Sequence, residues 1–278
     1  MVANIPGSFN GRTAVFGAVY RGSSPLPGTM VTRAIVLAAG AGTRMKSDLP
    51  KPLHEVCGRP MVMHVIDALE KSSPTDVVVV VGHGGDQVAT VVAKLAPPWA
   101  TVTFVTQIAQ NGTGDAARVG LAGLPVGQKD DIVLVLPGDT PLLTSATVRR
   151  LVDGHRDEAH AATVLTSVLD DPTGYGRVVR NGDGNVSRIV EERDATDDQR
   201  LIKEWNAGVY AFQHALLEPS LARLTTSNAQ GEYYLTDVIA DLARSGHRVG
   251  TVLTDADETH GVNDREQLAF VERLMLER

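Results

Sequence analysis

The chain has 278 residues, 43% hydrophobic and 21% charged, with 33 acidic against 26 basic side chains and a formal net charge of -7. This is enough for one large or two moderate globular domains, and an acidic balance without a long basic stripe argues against a protein that coats nucleic acid. Cys57 is the single cysteine, which excludes an intrachain disulfide framework or a cysteine-based zinc site and fits a reducing compartment, the cytoplasm.

In chain order, residues 1–30 are rich in Gly, Pro and Ser around one short apolar patch at 13–20 and lack a signal-peptide layout. They are expected to form a disordered tail, or an upstream extension of a chain starting at Met30, so the fold is read from 31–278 as one unit. Residues 34–39 make an apolar run of strand length, and Pro60 then suits a helix start before Val62, Val65, Ile66 and Leu69 at i, i+3, i+4 and i+7. Five valines, 77–81, read as a strand buried on both faces, as in a parallel sheet. Val88, Val91, Val92 and Leu95 give a second helix face; 102–105 is a strand, and the Ala-rich segment after Gly114 is helical. Residues 132–136 form another buried strand, Thr144 caps a helix carrying Val148, Leu151 and Val152, and 161–168 is a strand.

Past Asp170 the pattern changes. Segments 177–180 and 186–191 flank Asn181-Gly182-Asp183-Gly184, a hairpin signal. Residues 206–212 form a strand, and 216–224, 235–243 and 264–276 form helices. The alternation predicts an α/β fold with a doubly wound, mostly parallel sheet and a smaller mixed β/α part in the second half. No apolar run is long enough to span a bilayer, so no membrane partner is expected.

The stretch LAAGAGTRMKSDLPKPL, residues 37–53, leaves a strand through bare backbone and then offers cations. It fails as a dinucleotide fingerprint because Met45 stands where a third small residue is needed, and as a P-loop because the second glycine is missing. The chemistry that survives is a set of free backbone N–H donors with Arg44 and Lys51 beside them, suited to phosphate; the plainer reading is a tight turn with surface cations. Gly138-Asp139 closes a central strand, where open α/β sheets bind ligands and where a carboxylate beside phosphates holds Mg²⁺; alternatively Asp139 caps the next helix. Gln107 and Gln110, with Gly112 and Thr113, are able to read a base edge, the alternative being a loop with a helix cap at Thr113. Glu191 and Asn206 sit at strand ends where they can meet sugar hydroxyls or merely water. Cys57 reads as a small core residue rather than a nucleophile.

Taken together, LAAGAGTRMKSDLPKPLH, VVGHGGD, QNGTGDA, LPGDTPLL, LDDPTGYGRVV, IVEERDATDDQ, NAGVYAF, NAQGEYYLTDV and GVNDR, in this order and spacing, resemble the sugar nucleotidyltransferases. The likeness is to the pyrophosphorylase domain of the bacterial N-acetylglucosamine-1-phosphate uridyltransferases. It runs from about Arg33 onward, and the DDPTGYGR, NAQGEYY and GVN segments are its more particular part. The resemblance implies a Rossmann-like, glycosyltransferase A-like fold. It also implies Mg²⁺-assisted uridylyl transfer from UTP to N-acetyl-α-D-glucosamine 1-phosphate, making UDP-N-acetylglucosamine, a peptidoglycan precursor. By position it implicates Leu37, Ala38, Ala39 and Gly40 in wrapping the nucleotide, and Arg44 and Lys51 as catalytic cations. Gln107, Gln110, Gly112 and Thr113 match the uracil segment, with Pro137 and Gly138 beside the nucleotide. Asp139 and Asn263 match the metal ligands, and Gly176, Glu191, Asn206, Tyr234 and Thr236 match the sugar pocket. Asn111 and Asp115 stand where leucine and histidine are usual. They motivate a second expectation, another sugar 1-phosphate or an NTP such as dTTP; a third is a non-catalytic nucleotide-sugar-binding subunit. No hexapeptide-repeat β-helix follows before Arg278, so neither acetyl transfer nor the trimer built on that β-helix is expected from this chain.

Overall fold

A computed structural model of the chain describes residues 16–17 and 30–278. The strands are β1 (Phe16–Gly17), β2 (Thr32–Ala38), β3 (Glu55–Val56), β4 (Arg59–Pro60), β5 (Val77–Val81), β6 (Val102–Thr106), β7 (Ile132–Pro137), β8 (Ala162–Val168), β9 (Arg177–Arg180), β10 (Val186–Val190), β11 (Glu204–Gln213) and β12 (Val249–Leu253). The helices are α1 (Met61–Ala68), α2 (Gly85–Leu95), α3 (Thr113–Ala122), α4 (Ser145–Asp157), α5 (Asp197–Arg200), α6 (His214–Ala222), α7 (Asp237–Arg244) and α8 (Arg265–Glu277). β1 lies within the segment expected to be a tail, where Phe16 and Gly17 run antiparallel to β6; the rest of that expectation lies outside the described residues.

The main sheet has the order β1-β6-β5-β2-β7-β11-β8-β12. β6, β5, β2 and β7 are mutually parallel, as are β8 and β12. The β-branched run of β5 is buried at every position, as a central parallel strand covered on both faces requires. Along β2, Ala34, Val36 and Ala38 meet α1, α2 and α4 on one face, while Ile35 meets the face carrying α3, α6 and α7. That alternation is the period of two of a strand with helices above and below.

Strand β11 runs antiparallel to both β7 and β8, a direction the strand–helix alternation does not foretell. It is longer than expected, and its register breaks between Asn206 and Tyr210, where Gly208 takes φ +75°. The β9–β10 hairpin hangs from it through a single pair, Trp205 with Arg177. α6 begins two residues before its expected start, and α7 two residues after, because Leu235 and Thr236 form a turn leading into α7.

Cys57 departs from expectation. It is exposed, with φ +50°, and Gly58 has φ +74°. These two residues form the turn between β3 and β4, which needs two left-handed positions, so the thiol is held outside the core. A third apolar cluster of Met45, Val56, Met61, Leu142, Val262 and Val271 joins this hairpin to α8 and anchors the segments on either side of the site.

Candidate nucleotide and sugar-phosphate site

The parallel strands end along one edge. β2 has β5 on one side and β7 on the other, and β7 follows β6 in the chain, so the strand order reverses beside β2. At such a switch point the helical connections diverge and leave a crevice. A cleft of about 320 Å³ opens there, walled by Leu37, Ala38, Ala39 and Gly40 from the exit of β2, by Gln107, Gln110, Gly112 and Thr113 after β6, and by Pro137, Gly138 and Asp139 at the end of β7. Lys51, Pro52, Ala116 and Glu232 complete it.

Close packing of backbone builds the wall. The Gly138 N–H donates to the Leu37 carbonyl at 2.8 Å, and Gln110 Nε2 donates to the Ala39 carbonyl at 2.7 Å. A Cβ on Gly82 would collide with the Ala39 carbonyl oxygen, so only glycine lets the exits of β5 and β2 approach this closely. Gly112 has φ +103°, and a Cβ there would lie 2.6 Å from the Tyr233 carbonyl oxygen. That contact joins the 110–114 loop to the 232–235 segment, reinforced by Tyr233 N–H to Asn111 O at 2.8 Å and Gly114 N–H to Tyr233 O at 2.7 Å. Thr113 does not cap α3, whose N-cap is Gly112; its hydroxyl instead accepts from the Leu235 N–H at 3.0 Å.

Lys51 is the charged centre. Its Nζ lies 2.5 Å from Asp139 Oδ2 and 2.9 Å from Asn263 Oδ1. Asp139 therefore does not cap α4, a task performed by Thr144 through the Thr147 N–H. The Val262 N–H, donating to the Asp139 carbonyl at 2.9 Å, holds the Asn263 segment against the end of β7. Arg44 sits on a one-turn 3-10 helix, Thr43–Met45, exposed and without a side-chain partner among the described residues, outside the cleft wall. Among the described residues no three or more of His, Cys, Asp and Glu gather as a metal site.

The residues expected to hold a sugar fall into two groups. The Asn206 N–H donates to the Gly176 carbonyl at 2.9 Å, Thr236 Oγ1 donates to Glu191 Oε1 at 2.9 Å, and Glu191 Oε2 would be 3.5 Å from a Cβ on Gly176. Asn206 Nδ2 donates to the buried Tyr210 hydroxyl at 2.7 Å, fixing the amide. Burial raises the Glu191 carboxyl above its ordinary range, against the Thr236 hydrogen bond and with help from Asp237 and Asp194. Tyr234 is turned elsewhere: its hydroxyl bonds Asp194 and Gln230 at 3.2 and 2.9 Å. It lines a second cleft of about 400 Å³ with Arg188, Asp194, Asp237 and Arg244, which Glu191 also touches. The Tyr175 ring packs against Trp205, with centroids 4.0 Å apart and the planes tilted at 45°. Its hydroxyl is pushed above the ordinary tyrosine range, first by burial and then by the charge of Asp139.

Sequence reasoning missed Pro52, Ala116 and Glu232 in the wall. Glu232 lies inside the NAQGEYY segment, and Ala116 lies one helical turn beyond Gly112, so each carried a positional signal; Pro52 carried none beyond adjacency to Lys51.

Residues 34–232 match the MobA-like NTP transferase domain, and the chain belongs to that family. Within it, the chain is similar to proteins named bifunctional protein GlmU. It is 49% identical to the one from Corynebacterium aurimucosum over 244 residues, 87% of this chain and 50% of that protein. The Streptomyces avermitilis protein is 48% identical over 88% of this chain and 50% of its own length, and that of Caldanaerobacter subterraneus subsp. tengcongensis 44% over 88% and 52%. The chain thus spans about half the length of these curated relatives. A Bacillus anthracis structure, described as a glucose-1-phosphate thymidylyltransferase in complex with sucrose, superposes with a TM-score of 0.70 at 19% identity, covering 87% of this chain and 94% of that one. That likeness shows the shared mixed α/β fold. Among the described residues no helix is long and apolar enough to cross a membrane.

Proposed function

We propose that the chain transfers the uridylyl group of UTP to N-acetyl-α-D-glucosamine 1-phosphate, giving UDP-N-acetylglucosamine and pyrophosphate, in the cytoplasm. The observation that carries this reading is the meeting of Lys51 with Asp139 and Asn263 at the edge of a cleft walled by strand-exit backbone and two glutamine amides. The GlmU relatives support the choice of substrates.

In this reading a phosphate oxygen of the sugar phosphate attacks the α-phosphorus of UTP. A new P–O bond forms there as the bond to the pyrophosphate oxygen breaks, and the electron pair leaves with pyrophosphate. The nucleophile is already an anion, so no covalent enzyme intermediate is required, and repulsion between anions is the main obstacle. Lys51 neutralises charge at the reacting phosphoryl group, and Arg44, on the loop that follows β2, adds a second cation for the triphosphate. The backbone of Leu37, Ala38, Ala39 and Gly40 holds the nucleotide, flanked by Pro137 and Gly138; Gln107, Gln110, Gly112 and Thr113 take the base. Gly176, Glu191, Asn206 and Thr236 take the sugar, while Tyr234 supports that pocket from behind through its segment. The Asp139 carboxylate and the Asn263 carbonyl are hard oxygen donors gathered around a single ammonium, a donor set that fits Mg²⁺, which leaves room for phosphate oxygens as ligands. When bound, Mg²⁺ supplies further neutralisation between the two phosphates.

Asn111 and Asp115 beside the base wall favour a second reading, dTTP or another sugar 1-phosphate on the same chemistry. The test is pyrophosphate release by the full chain with UTP, Mg²⁺ and N-acetylglucosamine 1-phosphate, beside glucose 1-phosphate, glucosamine 1-phosphate and dTTP. Release confined to the first pair is the expected result. Release with another pair moves the substrate, and a folded, UTP-binding chain without release is a binding subunit.

A further inference from the structure

We infer that Asp115 is a positioning residue for base selection: together with the Gly112 carbonyl it holds the Gln107 side-chain amide nitrogen-inward, so that the amide oxygen faces the cleft and the site takes a pyrimidine bearing an N3–H. The inference rests on the nucleotide reading of the cleft given above.

The two ends of a glutamine amide differ, one donating and one accepting. Gln107 Nε2 donates to Asp115 Oδ2 at 2.9 Å and to the Gly112 carbonyl at 3.2 Å. Both partners are acceptors only. Turning the amide over would set its oxygen against a carboxylate and a carbonyl, replacing two hydrogen bonds by two repulsions. The orientation is therefore dictated by the chemistry of its neighbours. The other Asp115 oxygen pairs with Arg118 Nη2 at 2.5 Å, which fixes the carboxylate in turn. Gln107 is only 5% exposed, and its main-chain N–H donates to the Val81 carbonyl at 2.8 Å, so the residue is pinned at the end of β6. Its Oε1 accepts from no group among the described residues, yet is not among the buried polar atoms left without a partner, so it keeps some accessible surface on a residue that lines the cleft.

An acceptor at that place complements the N3–H of uracil. Cytosine presents a lone pair at N3, and two acceptors would then face each other. Thymine shares the N3–H, so Asp115 separates imide pyrimidines from cytosine and leaves uracil and thymine alike. Asp115 also stands in the first turn of α3 beside the cation Arg118, which would account for an acidic residue on structural grounds alone. That role leaves the ratio of UTP to CTP affinity untouched, and the ratio is therefore the readout.

The test is calorimetric titration of the full chain with UTP and with CTP, wild type against Asp115→Asn. The variant keeps the size of the side chain but allows it to donate, so the Gln107 amide loses its fixed sense. Wild type is expected to bind UTP at least about tenfold more tightly than CTP, and Asp115→Asn to lose most of that ratio. Equal binding of the two nucleotides by wild type, or an undiminished ratio in the folded variant, overturns the proposal. If the variant does not fold, wild type with 3-methyl-UTP against 5-methyl-UTP decides, since both carry an added methyl and only the second keeps its N3–H. Equal binding overturns the inference, and selective loss with the 3-methyl compound supports it. Selective UTP binding without pyrophosphate release would end the transfer reading and leave this one standing.

Discussion

Lys51 owes its position to its neighbours: Gly42, at φ +61°, leaves no room for a Cβ, which would lie 2.5 Å from Lys51 Cβ. A lysine packed against that turn reaches Asp139 and Asn263 with little freedom left to lose. Lys51→Ala is expected to lower turnover about 100-fold or more with an unchanged circular dichroism spectrum, the size seen when a preorganised charge is removed; near-wild-type turnover would remove Lys51 from the chemistry. Glu191 carries the opposite burden, a carboxyl whose protonation burial favours. Its native pKa lies above its unfolded value, so its contribution to stability is present at low pH and is lost as pH rises through the native value. Glu191→Gln is therefore expected to raise Tm more at pH 8 than at pH 5, while raising KM for the sugar phosphate. A Tm gain that does not grow with pH would show that the carboxyl is not ionising in a buried place. At this scale the strand-exit residues were legible, because free N–H groups and cations declare themselves in sequence. The direction of Tyr234 was not, since a turn at Leu235 and Thr236 decides which cleft each side chain enters.

The same contrast holds between elements. Strands β2, β5 and β7 could be read from apolar runs of strand length, because a strand covered on both faces has no polar side to disguise it. The sense of β11 could not: its alternation fits either direction, and only pairing with β7 and β8 settles it. The β3–β4 turn was hidden by its residues, since cysteine does not advertise a left-handed position. Asparagine does, and Cys57→Asn, creating Asn-Gly at a turn of this type, is expected to stabilise by about 0.5 kcal/mol, read as a higher urea midpoint at constant m. Asp131 shows how one buried charge joins elements. It is fully buried at the start of β7 and accepts from the N–H groups of Val31 and Gln128 at 3.0 and 2.7 Å and from Arg33 at 2.5 Å. Burial alone would raise its carboxyl, but those donors outweigh it and hold it below the ordinary range. Asp131→Ala leaves Arg33 and two N–H groups without their acceptor and is expected to cost about 3 kcal/mol in the same denaturation assay; a loss under 1 kcal/mol would mean that Asp76, 3.5 Å from Arg33, takes over.

For the molecule as a whole, acid is the predicted weakness. His155 is buried on α4, bonded through Nδ1 to Thr163 on β8, and its pKa is pushed down to about 4 by burial, then by His160 and Arg156. A native value below the unfolded 6.5 means that stability is intact above pH 6.5 and is lost as pH falls toward 4. The loss from this group reaches about 3 kcal/mol at pH 4 and should be largely absent in His155→Gln, measured as the difference in unfolding free energy between pH 7 and pH 4. An equal acid loss in the variant would assign it to other groups. The strand order carries a further consequence, for biosynthesis. β2, β5, β6 and β7 find one another within the first 137 residues, so a nascent chain can complete its block of parallel strands early. β8 cannot settle so soon: both of its partners, β11 and β12, are translated after it. Until residue 204 has left the ribosome, the strand Ala162–Val168 has two bare edges, and a ribosome stalled in that interval exposes a strand with both edges unpaired to its neighbours.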